Sequence, residues 1–275
     1  GTYRTFSVPC STTPLPLPKS MFNQLEKASQ VLVASLRFVL QDIYGSQDVR
    51  SSGFVASLSQ PDRKRFQEAV ENSPHYIPQL HHPVMREYPF FDVVGLDLVL
   101  VDDYSSGEVP FRLLEINTGT PSGASNNLQI LSGLSEIDRE VLASCGKVMP
   151  NDHFQVLGET YRSLGEAWTG RREGVQIVLP PGSQNGATPE IHQLAAYSGL
   201  IYADAGQLYR DGDGYIRLRT MSGRDPIVTA VYSRVNSDRA LFNQGRQVFL
   251  RDAETGKPMY LNDPLQSLLS KKPKL

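Results

Sequence analysis

The sequence predicts a mixed α/β fold, because helical and strand patterns alternate along its 275 residues. Apolar residues at helical spacing predict a long amphipathic helix over residues 20–44, with Ser20 as its N-cap. Two alternating apolar runs within residues 91–127 predict an antiparallel hairpin with a long connection. A β-loop-α-β pattern from residue 174 onward predicts part of a parallel sheet. A chain of this length forms one large or two modest domains.

The N-terminal region precedes the hairpin and is predicted to be mainly helical. Residues 1–19 contain four prolines, which predict an extended surface arm. The apolar stripe of the long helix favours burial in the core over contact with a partner, and Gly45 predicts the end of the helix. A short helix with a solvated charged face is predicted from about Gln60 to Val70.

Two features just before the hairpin each have a purely structural and a functional interpretation. His81 and His82 are neighbours, but no third ligand lies at a recognisable metal-binding spacing. With Pro83 next to them, a turn is favoured over a metal site. Arg86 either reaches a phosphate group or forms a surface salt bridge.

The hairpin carries Asp97, Glu115 and Asn117 on otherwise apolar faces. If Val101 pairs with Phe111, Asp97 lies opposite Glu115 with the side chains roughly 5 Å apart. Because like charges repel, a cation is expected between them, and oxygen ligands of this kind suit Mg²⁺. The alternative is a Glu115 that faces water and an Asn117 that only forms a turn. The predicted faces are Val93, Gly95, Asp97, Val99 and Val101 on one strand, and Phe111, Leu113, Glu115 and Asn117 on the other.

The second half of the chain predicts an α/β unit. Helical patterns over residues 128–142 and 152–168 lead to a buried strand at 175–179, a helix at 189–198 and a strand at 200–203. The loop with Ser183, Asn185 and Gly186 follows the first of these strands, at the edge where open α/β sheets bind ligands. It lacks the spacing of a P-loop.

The remaining predictions concern residues 208–275. A hairpin is predicted over residues 208–218, a buried strand over 227–232, and a turn leading into a short helix over 260–269. Arg234 follows the buried strand and either binds an anionic substrate group or pairs with Asp204 or Asp238. The basic C-terminal end favours a frayed terminus over a binding patch.

Composition excludes several classes of function. The composition is 40% hydrophobic and 20% charged, which is typical of soluble globular proteins, and the formal net charge is −2. That charge gives no electrostatic reason to expect nucleic acid or an anionic membrane as a partner. No apolar run is long enough for a membrane helix, and no leader pattern is visible, which predicts a cytoplasmic location. Cys10 and Cys145 lack motif spacing and favour buried thiols over a disulfide or a metal site.

A family resemblance rests on the hairpin and on several shorter stretches. The run GLDLVLVDD followed by FRLLEINTGTPSG resembles the closing hairpin of ATP-grasp ligases. Its position ahead of the α/β unit resembles the circularly permuted ATP-grasp proteins of the glutathionylspermidine synthase-like group. The stretches IVLPPGSQNGATPE and VYSRVNSD also resemble that group.

The resemblance implies a function and a set of site residues. It implies an ATP-dependent carboxylate-amine ligase, with Mg-ATP, an acyl-phosphate intermediate, and small-molecule or peptide acid and amine substrates. It also implies a partial ATP-grasp domain over residues 61–150, after the arm and helix of residues 1–60. A Rossmann-like pre-ATP-grasp substrate domain would cover residues 151–275. The implied residues are Asp97, Glu115 and Asn117 for magnesium and ATP, Ser183, Asn185 and Glu190 for substrate, and Arg234 for catalysis.

Two departures from that family pattern leave alternatives open. Asn236 stands where an acidic residue is usual. A lysine-bearing strand and a Gly-rich phosphate loop, which the resemblance implies beyond Leu275, are not recognisable in the sequence. The chain is therefore expected to be part of a longer ligase, a fragment of one, or a shortened relative. The alternatives in function are a non-catalytic binding or scaffold protein, and a nucleotide-dependent enzyme with another transfer chemistry, because a fold does not fix the reaction.

Overall fold

A computed structural model describes residues 19–73, 76–90, 93–100, 111–118, 140, 153–180, 188–233 and 260–261, and it confirms the mixed α/β fold. Short 3-10 helices cover Pro78–Leu80, Pro83–Glu87 and Ala205–Gln207. The other described elements are the helices α1 (Lys19–Tyr44), α2 (Gly53–Ser57), α3 (Gln60–Glu71), α4 (His153–Thr169) and α5 (Thr188–Ser198), and the strands β1 (Gly95–Leu100), β2 (Phe111–Asn117), β3 (Val175–Leu179), β4 (Ile201–Tyr202), β5 (Leu208–Arg210), β6 (Ile216–Leu218), β7 (Val228–Ser233) and β8 (Tyr260–Leu261).

Helix α1 is the predicted long helix, and its C-terminal third is the part that enters the core. Leu40, Ile43 and Tyr44 are fully buried, whereas Phe22 near the start of the helix is exposed. The N-cap prediction is wrong, because the helix already begins at Lys19. Ser20 instead lies in the first turn, where backbone N–H groups have no acceptor within the helix.

The helix end at Gly45 is confirmed, and it has a packing reason. A β-carbon there would overlap the side chain of Arg86 and the carbonyl oxygen of Gln41. Only glycine therefore lets the 3-10 helix that carries Arg86 approach the end of α1 this closely. The predicted helix near residues 60–70 is also confirmed as α3, with Ser59 as its N-cap.

The segment between α3 and the hairpin forms the turn that was predicted around His81 and His82. The imidazole Nδ1 of His81 lies 3.0 Å from the carbonyl oxygen of Ser46, and its Nε2 lies 2.7 Å from the hydroxyl of Tyr76. Since a carbonyl oxygen can only accept, Nδ1 donates to Ser46, while Nε2 is hydrogen-bonded to the Tyr76 hydroxyl. Both nitrogens of His81 are thus occupied by hydrogen bonds. The His82 side chain accepts from the backbone N–H of Val84.

The predicted β-loop-α-β unit is confirmed as part of a four-stranded parallel sheet with the order β4-β3-β7-β8. Its two faces contribute to different hydrophobic clusters. Val178, Ala230 and Tyr232 belong to the main core, together with residues of α4 and α5. Ile177 and Val231 face the other way, toward the β5–β6 hairpin.

Helix α4 lies against the sheet because glycines replace side chains at the closest approaches. A β-carbon on Gly165 would lie 2.9 Å from the hydroxyl oxygen of Thr229 on β7. A β-carbon on Gly158 would overlap the carbonyl oxygen of Ser198 at the end of α5. Gly199, which follows α5 as predicted, has a φ of +77°, a conformation that glycine adopts without steric cost.

The β5–β6 hairpin is confirmed with the predicted turn after Arg210. Asp211 accepts hydrogen bonds from the backbone of Asp213 and Tyr215, and it forms an ion pair with Arg217. Burial acts to raise the pKa of Asp211, but the hydrogen bond from Arg217 and those from the backbone outweigh it and lower the pKa below its ordinary value. This network closes the turn.

One predicted element near the C-terminus is wrong. A turn was expected from residue 260, but Tyr260–Leu261 forms β8, which pairs in parallel with β7. The physical reason is that β7 would otherwise leave a row of backbone groups unpaired along one edge. In the described part of the chain, no helix is long and apolar enough to cross a bilayer.

We predict that Gly158→Ala destabilises the protein. Alanine favours a helix over glycine by about 1 kcal/mol, but forcing a methyl group into a packed contact costs about 1–3 kcal/mol. Because the new methyl group would overlap backbone rather than a flexible side chain, we expect a net loss of about 1–2 kcal/mol in the free energy of unfolding. Urea denaturation followed by circular dichroism measures this loss.

Gly206→Ala is the matched control. A β-carbon on Gly206 meets no atom within 4 Å, so its free energy of unfolding should change by less than about 0.5 kcal/mol. Equal urea midpoints for the two variants would show that α4 does not pack against the end of α5 as described.

Candidate functional site

The root of the β1–β2 hairpin is attached to α1 and to the main core. The Nε of Arg37 donates to the carbonyl oxygen of Phe90 at 2.7 Å, and the side-chain amide of Gln41 donates to that of Tyr88 at 2.9 Å. Val93 and Val94 then pack against the core just before β1 begins. These contacts fix the position of the chain just before β1.

The register brings the predicted acidic residues together. Asp97 on β1 is the direct cross-strand partner of Glu115 on β2, and Gly95 is the partner of Asn117. Directly opposite residues place their side chains on the same face of an antiparallel pair. Asp97, Glu115 and Asn117 therefore share one face of the hairpin, as predicted.

The register changes beyond the acidic pair, and two predictions are wrong there. Leu98 pairs with Leu113 and Leu100 pairs with Phe111, so Leu114 is an extra residue on β2 and forms a β-bulge. Phe111 therefore does not pair with Val101, which lies outside the described residues. Because a bulge reverses the alternation, Leu113 falls on the face opposite to Glu115, so the predicted common face of β2 is wrong.

The same bulge brings Arg112 to the face that carries Asp97 and Glu115, whereas simple alternation places it on the other face. Arg112 is the cross-strand partner of Val99, which lies two residues from Asp97 on β1. Arg112 therefore shares the face of Asp97 and Glu115. No sequence pattern marks the bulge, because the alternation of β2 looks regular when it is read along one strand.

The surroundings of the acidic pair are partly open to solvent. Asp97 is exposed, Glu115 and Asn117 are half-buried, and Thr118 at the end of β2 is fully buried. Among the described residues no group of three or more His, Cys, Asp or Glu side chains forms a metal cluster. Two carboxylates and an amide oxygen still fit Mg²⁺, which usually takes one or two carboxylates and completes its shell with water and substrate phosphates.

A groove of about 420 Å³ lies beside the hairpin root. One face of α1 forms most of it, and Val94 closes it next to β1. Its lining residues on the helix are Glu26, Ser29, Gln30, Val33, Ala34 and Arg37.

A second candidate region is the carboxyl edge of the parallel sheet. The chain leaves β3 toward β4 on one side, whereas β8 pairs with β7 on the other, so β3 and β7 flank a topological switch point. Ser233, the last residue of β7, is fully buried at this edge. Glu190 is half-buried in the first turn of α5.

Three other predicted site residues follow the ends of these two strands in the sequence. Ser183, Asn185 and Arg234 lie outside the described residues. What supports a site here is the position of the strand ends that precede them.

Comparison with known proteins shows relatives in bacteria. The chain is 27% identical over 241 residues to an uncharacterized protein of Mycobacterium leprae, covering 84% of this chain and 39% of the relative. It is 27% identical over 240 residues to an uncharacterized protein of Mycobacterium tuberculosis, covering 84% of this chain and 40% of the relative. An uncharacterized protein of Synechocystis is 26% identical over 243 residues, covering 86% of this chain and 45% of the relative. The chain thus spans less than half the length of these relatives.

A similar solved structure and a family match complete the comparison. The structure is a glutathione synthetase-like effector from Globodera pallida in its apo form, with 13% identity and a TM-score of 0.48, covering 93% of this chain and 55% of that chain. The sequence model of the family described as circularly permuted ATP-grasp type 2 matches residues 14–248. The matched range contains α1, the hairpin with its acidic pair, and the α/β unit through β7. The chain belongs to the circularly permuted ATP-grasp family, type 2.

Proposed function

We propose that this protein is an ATP-dependent ligase that joins a carboxylic acid to an amine and uses Mg-ATP. One observation carries the proposal. In a chain of the ATP-grasp family, Asp97 lies directly opposite Glu115, with Asn117 on the same face of the hairpin. A pair of facing carboxylates costs stability in a protein that has no cation for them, and sites that break such a rule are often functional.

The roles of the hairpin residues follow from their chemistry. Asp97, Glu115 and Asn117 would hold Mg²⁺ through their oxygen atoms. Bound there, the metal would neutralise phosphate charge and orient the nucleotide. Because the hairpin root is tied to α1, the three oxygen-bearing side chains would keep their spacing when the nucleotide binds and leaves.

The proposed reaction has two steps. A carboxylate oxygen of the acid attacks the terminal phosphorus of ATP, and the bond to ADP breaks to give an acyl phosphate. The amine nitrogen then attacks the acyl carbon, phosphate leaves, and the amine loses a proton as the amide forms. Both steps build negative charge on oxygen atoms, which fixed positive groups stabilise.

Substrate residues are proposed at the carboxyl edge of the sheet. Ser183, Asn185 and Glu190 would orient the acid or the amine, and Arg234 would stabilise the anionic reacting group. The support for these roles is the switch point between β3 and β7. We propose small molecules or peptides as the acid and the amine.

The first prediction concerns the acidic pair without substrate. In EDTA at low salt, Asp97→Asn should raise the free energy of unfolding by about 0.5 kcal/mol, because it removes a like-charge pair. Millimolar MgCl₂ should raise the melting temperature of the wild-type protein and have little effect on the variant. Thermal melts in the two buffers measure both effects.

Glu159→Gln on α4 is the control, since Glu159 is exposed and far from the hairpin in sequence. It should melt like the wild type in both buffers. An equal magnesium-induced shift in Asp97→Asn and wild type would contradict the assignment of Asp97 as a ligand.

The second prediction concerns turnover. With a productive acid and amine pair, the natural full-length protein should release ADP only when magnesium is present. Asp97→Ala and Glu115→Ala should each slow this release by about 100-fold or more, as the loss of a transition-state contact typically does. A coupled ADP assay over a panel of acids and amines provides the measurement.

Glu159→Gln should keep the wild-type rate of ADP release. Turnover that survives in Asp97→Ala or Glu115→Ala would refute the proposed function. If calorimetry shows that the wild-type protein does not bind Mg-ATP at all, a non-catalytic scaffold becomes the better interpretation.

A further inference from the structure

The β-bulge at Leu114 places an arginine beside the proposed nucleotide site. Arg112 lies opposite Val99, and Val99 is two residues from Asp97 on the same strand. Arg112 and Asp97 are therefore diagonal neighbours on one face, roughly 7–8 Å apart and somewhat less between their β-carbons. An arginine side chain spans that separation easily, so its guanidinium can reach a group bound at the acidic pair.

Among the described residues, no ion pair or side-chain hydrogen bond involves the guanidinium of Arg112. Arg112 is exposed, and none of the ion pairs found among the described residues includes it. This holds although two carboxylates lie on the same face of the hairpin. Arg112 therefore forms no ion pair with Asp97 or Glu115, and within the described part of the chain its five N–H donors are open to an external anion.

A polyphosphate is the anion that the arrangement favours. A divalent cation at the acidic pair would bring phosphate oxygens to the same face, one step along the strands from Arg112. Guanidinium groups bind phosphate oxygens through paired, charge-assisted hydrogen bonds. A carboxylate substrate alone would be repelled by Asp97 and Glu115, whereas a metal-bound phosphate chain would not.

We propose that Arg112 binds phosphate oxygens of the nucleotide on the loop side of the Asp97–Glu115 pair and so positions the polyphosphate chain. This inference rests on the proposed function, because it requires a magnesium-bound nucleotide at the hairpin. It adds a positive group to a face whose other described strand residues are acidic or neutral. The β-bulge then has a functional consequence, since without it Arg112 would lie on the opposite face.

The test is calorimetric titration of the natural full-length protein with Mg-ATP, comparing wild type with Arg112→Gln, Arg112→Lys and Arg65→Gln. We expect Arg112→Gln to raise the dissociation constant about tenfold, the usual effect of losing a hydrogen bond to a charged group. The dissociation constant of Arg112→Lys should lie between those of the wild type and Arg112→Gln, because lysine keeps the charge but lacks the planar guanidinium group. Arg65 is an exposed arginine on α3, so Arg65→Gln should bind like the wild type.

Two further readouts separate a phosphate contact from a structural role. Affinity of Arg112→Gln for Mg-ATP should depend less steeply on salt than that of the wild type, since one charge contact is lost. The magnesium-induced rise in melting temperature without nucleotide should stay the same or increase, because Arg112 does not hold the metal. A smaller rise would overturn the inference.

The outcomes distinguish this inference from the proposed function. If wild type and Arg112→Gln bind Mg-ATP equally well, Arg112 is not a phosphate ligand, while the proposed function stands. If Arg65→Gln weakens binding as much as Arg112→Gln, the effect is general electrostatics and the inference is again wrong. If the wild-type protein does not bind Mg-ATP, both the proposed function and this inference fail.

Discussion

The packing of Tyr88 is the contact on which the arrangement of this protein depends. Its fully buried ring lies 4.7 Å from the ring of Phe90 and 4.9 Å from that of Trp168 on α4, measured between centroids. Tyr161 is an α4 residue of the same core, and its ring centroid lies 5.4 Å from that of Tyr232 on β7. The segment before the hairpin and the parallel sheet are thus joined through one helix. The position of the hairpin root relative to the sheet therefore depends on the packing of α4.

Helix α4 can pack against both the segment before the hairpin and the parallel sheet, because small and large residues alternate on its surface. Trp168 and Tyr161 supply wide apolar contacts toward the hairpin and the sheet. Gly158 and Gly165 remove side chains where the helix meets backbone or β7. Large residues gain from burial in proportion to area, and glycines allow the approach that makes this burial possible. The positions of these glycines in one helix are therefore a packing requirement, despite the cost of glycine in helices.

Much of this fold follows from periodicity in the sequence, but contacts between elements do not. The helices α1 and α4, the strand β3 and the turn at Gly199 each carry a local pattern that predicts them. The pair Asp97 and Glu115 was also predicted, although from a register that fails near the loop. The strand β8 could not be predicted, because two residues carry no periodicity and its partner β7 is distant in the chain. The bulge at Leu114 depends on both strands together, and no reading of β2 alone contains it.

The bulge also determines the order of opposite charges along one face of the hairpin. A regular β2 would place Phe111 and Leu113 beside the carboxylates and would turn Arg112 toward the other face. With the extra residue, the carboxylates lie nearer the anchored root on this face and Arg112 lies nearer the loop. An isolated two-stranded sheet is marginally stable, so the order of charges depends on the anchored root. Arg37 and Gln41 hold that root through the backbone carbonyls of Phe90 and Tyr88. The anchoring thus uses main-chain atoms of the segment before β1 and not the carboxylates of the strands.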